Sequence, residues 1–308
     1  MSGAVGLLTL TGVGKQFGGV RALDDVDLVV ERGSVHALVG ENGAGKSTLG
    51  KIIAGIHTPD AGEMSLRDAP VHYHGTHDAL ADGITMIAQE LPLVPSMSAI
   101  ENVFLGAEDS VRGILRKDVT RRRFDALLER TGFRISGSQR VDRMRIADQQ
   151  KVAIMRALAR DAELIVMDEP TAALGREDAM ALLEVVRALS AAGAAVVYVS
   201  HFLDEVLQVS DTITVMKDGR VVRSGPAASE TSDSLMTGML GRSLGMQFPE
   251  QTPPAADAPV TLEVRDLGRE GSFEKVNMTL RAGEIVGLAG LVGSGRSEVA
   301  RARGGRAQ

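Results

Sequence analysis

Residues 40 to 47 read Gly40-Glu41-Asn42-Gly43-Ala44-Gly45-Lys46-Ser47, and they constrain the fold more than any other stretch. The string follows a five-residue apolar run, Val35 to Val39, that ends directly on glycine, and a helix is expected from Lys46 through Ile53. Between a strand and a helix, the glycines let backbone N–H groups converge on phosphate oxygens, and the helix N-terminus adds its positive end. In such a loop the lysine reaches the β- and γ-phosphates and the Ser47 hydroxyl ligates magnesium, with Thr48 following in the helix.

The rest of the chain alternates in a way that suits this loop. Leu7 to Thr11 and Val26 to Val30 have strand length, and helical periodicity dominates from Ser96 to Arg160. Leu164 to Met167 and Ala195 to Val199 are runs of parallel-strand character, separated by a helical stretch from Asp178 to Leu189. The expected class is α/β with a helical insertion.

Four prolines, Pro249, Pro253, Pro254 and Pro259, crowd between Gln247 and Val260, which suits a stiff linker without a core. Beyond it the opening pattern returns at one fixed offset. Val26 corresponds to Val276, Gly33 to Gly283, Gly40, Gly43 and Gly45 to Gly290, Gly293 and Gly295, Lys46 to Arg296 and Ser47 to Ser297. The pattern is that of a duplicated domain. The expected organisation is a first domain over residues 5–245, a linker over 246–260, and over 261–308 the opening fragment of a second copy.

Two further strand ends carry candidate chemistry. Leu164-Ile165-Val166-Met167 runs into Asp168 and Glu169. A buried strand can project Asp168 towards the magnesium, while Glu169 orients or deprotonates an attacking water. Acidic residues also end strands for solvation alone, but ligands in open α/β sheets gather at the carboxyl ends of the strands. Val196 to Val199 runs into Ser200 and His201, whose imidazole could contact the γ-phosphate or serve only as a surface residue. Gln89, after Ile84 to Ala88, carries no signal by itself.

The phosphate loop, Gln89, Asp168-Glu169 and His201 occur in the order and spacing of an ABC transporter ATPase. The text of Gly40 to Thr48, Ala88 to Gly106 and Met167 to Leu174 resembles the duplicated ATPases that energise ribose, galactose, arabinose and xylose uptake. The likeness runs from Leu7 to about Gly241 and resumes from Thr261. It implies a P-loop NTPase core of ABC type with an antiparallel β edge subdomain and a helical subdomain. It further implies Mg·ATP as ligand, Gln89 joining Ser47 and Asp168 at the magnesium and sensing the membrane subunits, and Phe17 stacking on adenine. A core phenylalanine satisfies the sequence equally well at position 17. The implied partners are a membrane permease docked on the region after Gln89, through it a sugar-binding protein, and a second ABC domain packed head to tail. The implied place is the cytoplasmic face of the cell membrane.

The sequence departs from that family in three places. Its signature segment, ordinarily near L-S-G-G-Q, reads Met144-Arg145-Ile146-Ala147-Asp148, so the serine expected to bond the opposite domain's γ-phosphate is Arg145. A guanidinium cannot sit where a small hydroxyl closes a tight interface. The second phosphate loop has Arg296 for lysine, and the second copy stops soon after it. With head-to-tail pairing, this chain alone is expected not to complete one nucleotide site, and a product that binds nucleotide with little turnover is the alternative reading.

Composition removes other classes. There is no cysteine among the 308 residues, so no disulfide, thiolate metal site or cysteine nucleophile exists, which fits a reducing compartment. A net charge of −6 argues against a nucleic-acid binder. Apolar residues form 44% of the chain, enough for a large core, but aromatics only 3%, so aliphatic side chains must fill it. Ala191 to Val199 is about half the length of a membrane span, so membrane contact is expected through a partner. His72, His74 and His77 resemble a metal cluster without a completing carboxylate or thiol, and Arg121-Arg122-Arg123 reads as a solvated helix face.

Overall fold

Two long alternating segments open the fold. Strands β1 (Gly6–Phe17) and β2 (Val20–Glu31) pair antiparallel about Gly18 and Gly19, both at positive φ. In this computed structural model residues 6–88, 92–111, 114–160, 162–172, 174–241, 257–269, 271–290 and 294–302 are described. The runs Leu7 to Thr11 and Val26 to Val30 lie inside these longer strands.

Next come β3 (Val35–Val39), α1 (Lys46–Ile53), β4 (Ala61–Leu66), β5 (Ala69–Pro70), α2 (Thr76–Ala81) and β6 (Ile84–Ile87). A mainly helical segment follows, with α3 (Ala99–Phe104), the short hairpin β7 (Ser110–Val111) and β8 (Ile114–Leu115), α4 (Lys117–Thr131) and α5 (Ile146–Leu158). The chain then alternates through β9 (Leu164–Asp168), α6 (Arg176–Ala191), β10 (Ala195–Val199), α7 (Leu203–Val209), β11 (Thr212–Lys217), β12 (Arg220–Pro226) and α8 (Ser232–Leu240).

The central sheet has the order β12-β11-β3-β10-β9-β6, parallel except for β12, and a second sheet has the order β2-β1-β4-β5, antiparallel throughout. Period-two alternation decides what each face of the central sheet meets. Val35, Ala37 and Val39 of β3, Ile165 and Met167 of β9, and Val196 and Tyr198 of β10 join one core with α3 to α7. Leu38, Val166, Val197 and Val199 face the other way and pack with Leu49, Ile52 and Ile53 of α1 and with Leu8, Leu10, Leu28 and Val30 of the antiparallel sheet. All five residues of β3, β9 and β10 are buried, the pattern of strands covered on both faces. This is the expected α/β architecture with an antiparallel edge sheet and a helical insertion.

Local chemistry sets the helix ends. Helix α1 spans the range expected from the sequence, and the chain turns away at Gly55, φ 69°, whose N–H donates to Ile52 O. Helix α3 carries a capping box between Ser98 and Glu101. Asn102, fully buried, holds the preceding loop by accepting from Val94 N–H at 2.7 Å and donating to Val94 O and Ser98 O at 3.0 Å. The helical reading of residues 96–160 holds in its main parts, but the β7–β8 hairpin and the turns after Gly132 interrupt it.

Residues from 245 onward form a separate compact unit. Its described elements are β13 (Val260–Arg269) and β14 (Phe273–Arg281), an antiparallel hairpin, and α9 (Arg296–Ala302). The apolar run Ile285 to Ala289 adopts no strand. Most of the Pro-rich segment, residues 246–256, lies outside the described residues.

Candidate nucleotide site at the ends of the parallel strands

Strand β3 delivers Gly40 at the carboxyl edge of the central sheet, and two glycines in the loop have no substitute. A Cβ on Gly40 would lie 2.4 Å from Met216 O, and one on Gly45 would lie 2.6 Å from Ala22 O. Gly45 also takes φ 98° as the residue that opens α1. Gly43 is left-handed too, at φ 86°, and Ala44 N–H donates to Glu41 O, which closes the turn around Asn42. The loop is braced from outside, since Gly219 N–H donates to Ala44 O and Asp24 N–H to Gly219 O.

Lys46 is buried, and its ammonium donates to Gly40 O at 2.8 Å and Glu41 O at 3.0 Å. Burial pulls its pKa below the usual lysine range, opposed by the charges of Glu169 and Asp168. Ser47 donates to Asp168 Oδ1 at 2.9 Å, and Thr48 follows in α1. Burial pushes the Asp168 carboxyl up, and the Ser47 bond pulls it down. Both groups offer hard oxygen donors of the kind magnesium takes.

Glu169 stands just past β9 in the left-handed region, φ 47°, a conformation that costs a non-glycine residue about 1 kcal/mol. Its N–H donates to Val199 O at 2.9 Å and its carbonyl accepts from Ala172 N–H, so the turn is bonded to the end of β10. There His201 Nδ1 lies 3.1 Å from Glu169 Oε1. A carboxylate only accepts, which assigns the Nδ1 hydrogen to the imidazole. The ring leans on Phe202, centroids 4.2 Å apart. Parallel pairing thus brings the loop after β3 and the ends of β9 and β10 to one edge.

The remaining expected residues divide. Phe17 is 41% exposed at the end of β1, so it is not a core residue. Its ring lies edge-on to His57 at 5.2 Å, with Lys15 Nζ 5.5 Å from its centroid. Gln89 lies outside the described residues, just beyond β6. In the signature segment Met144 is buried, Arg145 is the N-cap of α5 with no side-chain cap bond, and Ile146 is exposed. Ala147 and Asp148 follow in the first turn, where Arg145 Nε is 3.5 Å from Asp148 Oδ2 and Lys151 pairs with the same carboxylate at 3.3 Å. Among the described residues no hydrogen bond or ion pair joins 144–148 to the phosphate loop. Sequence reasoning missed Thr171 and Glu205, bonded at 2.6 Å beside this edge. No motif announces a contact between residues so far apart.

A separate cleft of about 510 Å³ lies where β6 ends, lined by Ile56, Ile87, Pro92, Leu93, Arg156 and Arg160. Among the described residues no helix is long and apolar enough to cross a membrane, and no three His, Cys, Asp or Glu side chains are grouped to hold a metal.

Residues 23–172 match the ABC transporter family profile. Over 297 residues the chain is 46% identical to a putative ribose/galactose/methyl galactoside import ATP-binding protein of Ralstonia nicotianae, covering 96% of this chain and 57% of that protein. It is 45% identical over 302 residues to a ribose import ATP-binding protein of Streptomyces avermitilis, covering 98% of this chain and 59% of the relative. Residues 23–172 belong to the ABC transporter family. The fold of the chain is similar to a nucleotide-free ATP-binding cassette from an ABC transporter, with TM-score 0.66 and 25% identity over 77% of this chain and 95% of that one. A cassette in its ADP conformation gives TM-score 0.65 and 26% identity over 75% and 94%. The chain spans a little under three fifths of the length of the two sugar-import relatives.

Proposed function

We propose that this chain binds Mg·ATP at the edge formed by Lys46, Ser47, Asp168, Glu169 and His201, and hydrolyses it to energise import of a simple sugar. The observation that carries this reading is the meeting of three strand ends: Ser47 on Asp168, and Glu169 on His201. The names borne by the relatives direct it to sugar.

The loop N–H groups and the Lys46 ammonium bind the β- and γ-phosphates, exchanging the loop carbonyls for phosphate oxygens. Ser47 and Asp168 would hold magnesium together with Gln89, and the ion supplies neutralising charge to the phosphates. Glu169 takes a proton from the attacking water, whose oxygen bonds to the γ-phosphorus while the bond to the β–γ bridging oxygen breaks. ADP and phosphate result. His201 orients the Glu169 carboxylate, and Phe17, exposed next to the loop's supporting strand, stacks on the adenine. Catalysis here is positioning and electrostatics, which suits groups held on rigid strand ends.

The permease is assigned to the segment after Gln89, which Asn102 holds in place, and to the adjoining cleft. Through that contact the chain works peripherally at the cytoplasmic face of the membrane, with a sugar-binding protein engaged by the permease and a second ABC domain opposite. One observation favours the alternative, nucleotide binding with little turnover: Arg145 occupies the signature position with its side chain 81% exposed. Glu169→Gln tests the catalytic reading. Mg·ATP affinity should be unchanged while hydrolysis in the assembled transporter falls about 10²- to 10⁴-fold. An equal loss of binding would remove Glu169 from the role of base.

A further inference from the structure

Glu205 stands in the first turn of α7 and belongs to no recognised site motif. Its Oε2 accepts two hydrogen bonds, from Thr171 Oγ1 at 2.6 Å and from the Tyr198 phenol at 3.1 Å. Thr171 is 3% exposed and Tyr198 is fully buried, so neither hydroxyl can turn to water instead. A buried hydroxyl left without a partner costs free energy, so these bonds hold three elements together.

The three elements are those that present Glu169 and His201. Thr171 lies in the turn after β9, two residues beyond Glu169, and Tyr198 sits on β10, three residues before His201. Glu205 itself follows His201 by four residues. Leu174 N–H donates to Thr171 O and Ala172 N–H to Glu169 O, so the Thr171 side chain anchors the same turn that keeps Glu169 left-handed. Without that anchor the turn is tied to β10 chiefly by the bond from Glu169 N–H to Val199 O. The contact at stake, His201 Nδ1 to Glu169 Oε1 at 3.1 Å, joins two loop side chains and is lost by a displacement of about 1 Å.

We propose that Glu205 is a positioning residue: by gripping Thr171 and Tyr198 it fixes the turn after β9 against α7 and so holds Glu169 on His201. It touches neither nucleotide nor metal. The inference takes its functional meaning from the reading of Glu169 and His201 as the water-activating pair. Its geometric content stands without nucleotide, which permits a test that does not depend on turnover.

The test uses the full chain labelled with ¹⁵N-histidine, with the His201 imidazole signals assigned by His201→Gln. Glu169→Gln sets the Nδ1 shift that accompanies weakening of the pair. Glu205→Ala should move the Nδ1 resonance in the same direction by at least half as much. Glu205→Gln keeps an acceptor oxygen and should move it far less. Thr171→Val, isosteric and lacking the hydroxyl, should reproduce Glu205→Ala, and it decides the matter if Glu205→Ala does not fold. In the assembled transporter the same two variants should lower kcat about tenfold with KM for Mg·ATP unchanged. A folded Glu205→Ala or Thr171→Val with the His201 resonance unmoved overturns the proposal. So does failure of both to fold, which would make the group a folding element alone. If the resonance moves as expected but Glu169→Gln leaves hydrolysis intact, the positioning stands and the catalytic reading falls.

Discussion

Val35 to Val39 and Ile285 to Ala289 hold corresponding places in the repeated pattern, each between a glycine turn and a glycine loop, and they end in different states. The first is a strand with every residue buried, paired with β10 on one side and β11 on the other. The second forms no strand, and Ile285 is 82% exposed. Both runs are apolar and strand-like, so the difference lies in their neighbours. A parallel strand draws its hydrogen bonds from strands distant in sequence, and β3 pairs with residues 196–199 and 212–215. Features that need only nearby residues survive in both copies. The β13–β14 hairpin forms as β1–β2 does, and Gly295 takes φ 83° before α9 as Gly45 takes 98° before α1.

If chemistry follows neighbours in the same way, only the first loop should hold nucleotide. Lys46→Ala should weaken Mg·ATP binding roughly a hundredfold, as expected when a charge-assisted contact to phosphate is removed. Arg296→Ala should leave it unchanged, because Ser47 has Asp168 beside it and, among the described residues, no carboxylate is hydrogen-bonded to Ser297. Calorimetric titration of the two variants decides, and a loss on Arg296→Ala would break the comparison.

The central strand also differs from its copy at His36, whose counterpart is Val286. His36 is buried, its Nε2 2.7 Å from Thr214 Oγ1, which in turn donates to Ser224 at 2.8 Å. Burial pulls its pKa from 6.5 to about 4, with a hydrogen bond to the Val29 backbone opposing. Between those values the unfolded chain takes up a proton that the folded chain refuses. Stability is therefore lost as pH falls from 6.5 to about 4, by about 3 kcal/mol from this residue. Urea unfolding across that range should show a shallower fall in His36→Gln than in the parent, and parallel curves would mean that β3 is not sealed as described.

The smallest effect concerns a feature that needs no distant partner. Helix α3 and helix α8 begin with capping boxes, at Ser98 and Thr231, whereas α5 begins at Arg145 with no side-chain cap. Arg145 already has the extended backbone of an N-cap, and Asp148 stands three residues on. Arg145→Ser should complete a box there and raise stability by about 1 kcal/mol, read by chemical denaturation. A destabilised variant would mean that the Arg145–Asp148 pair outweighs a cap.

The amino-acid order by itself determined what depends on short spacing. The glycine loop needs its residues within eight positions, α1 its caps within one turn, and the runs before Asp168 and His201 their length of four or five residues. All are legible because backbone geometry acts between near neighbours. It also carried the repeated pattern of residues 26–47 and 276–297, since a repeat can be read without knowing the fold. The tertiary structure alone decided which strands lie side by side, and hence that Ser47 meets Asp168 and Glu169 meets His201 across gaps of 121 and 32 residues. It placed Phe17 at an exposed strand end where a core position fitted the sequence as well, and it left Ile285 to Ala289 without pairing. It brought Glu205 onto Thr171, a contact that no periodicity announces. Such pairings are set by which apolar faces and backbone groups find partners once the whole sheet has assembled, and that choice is made between residues far apart in the chain.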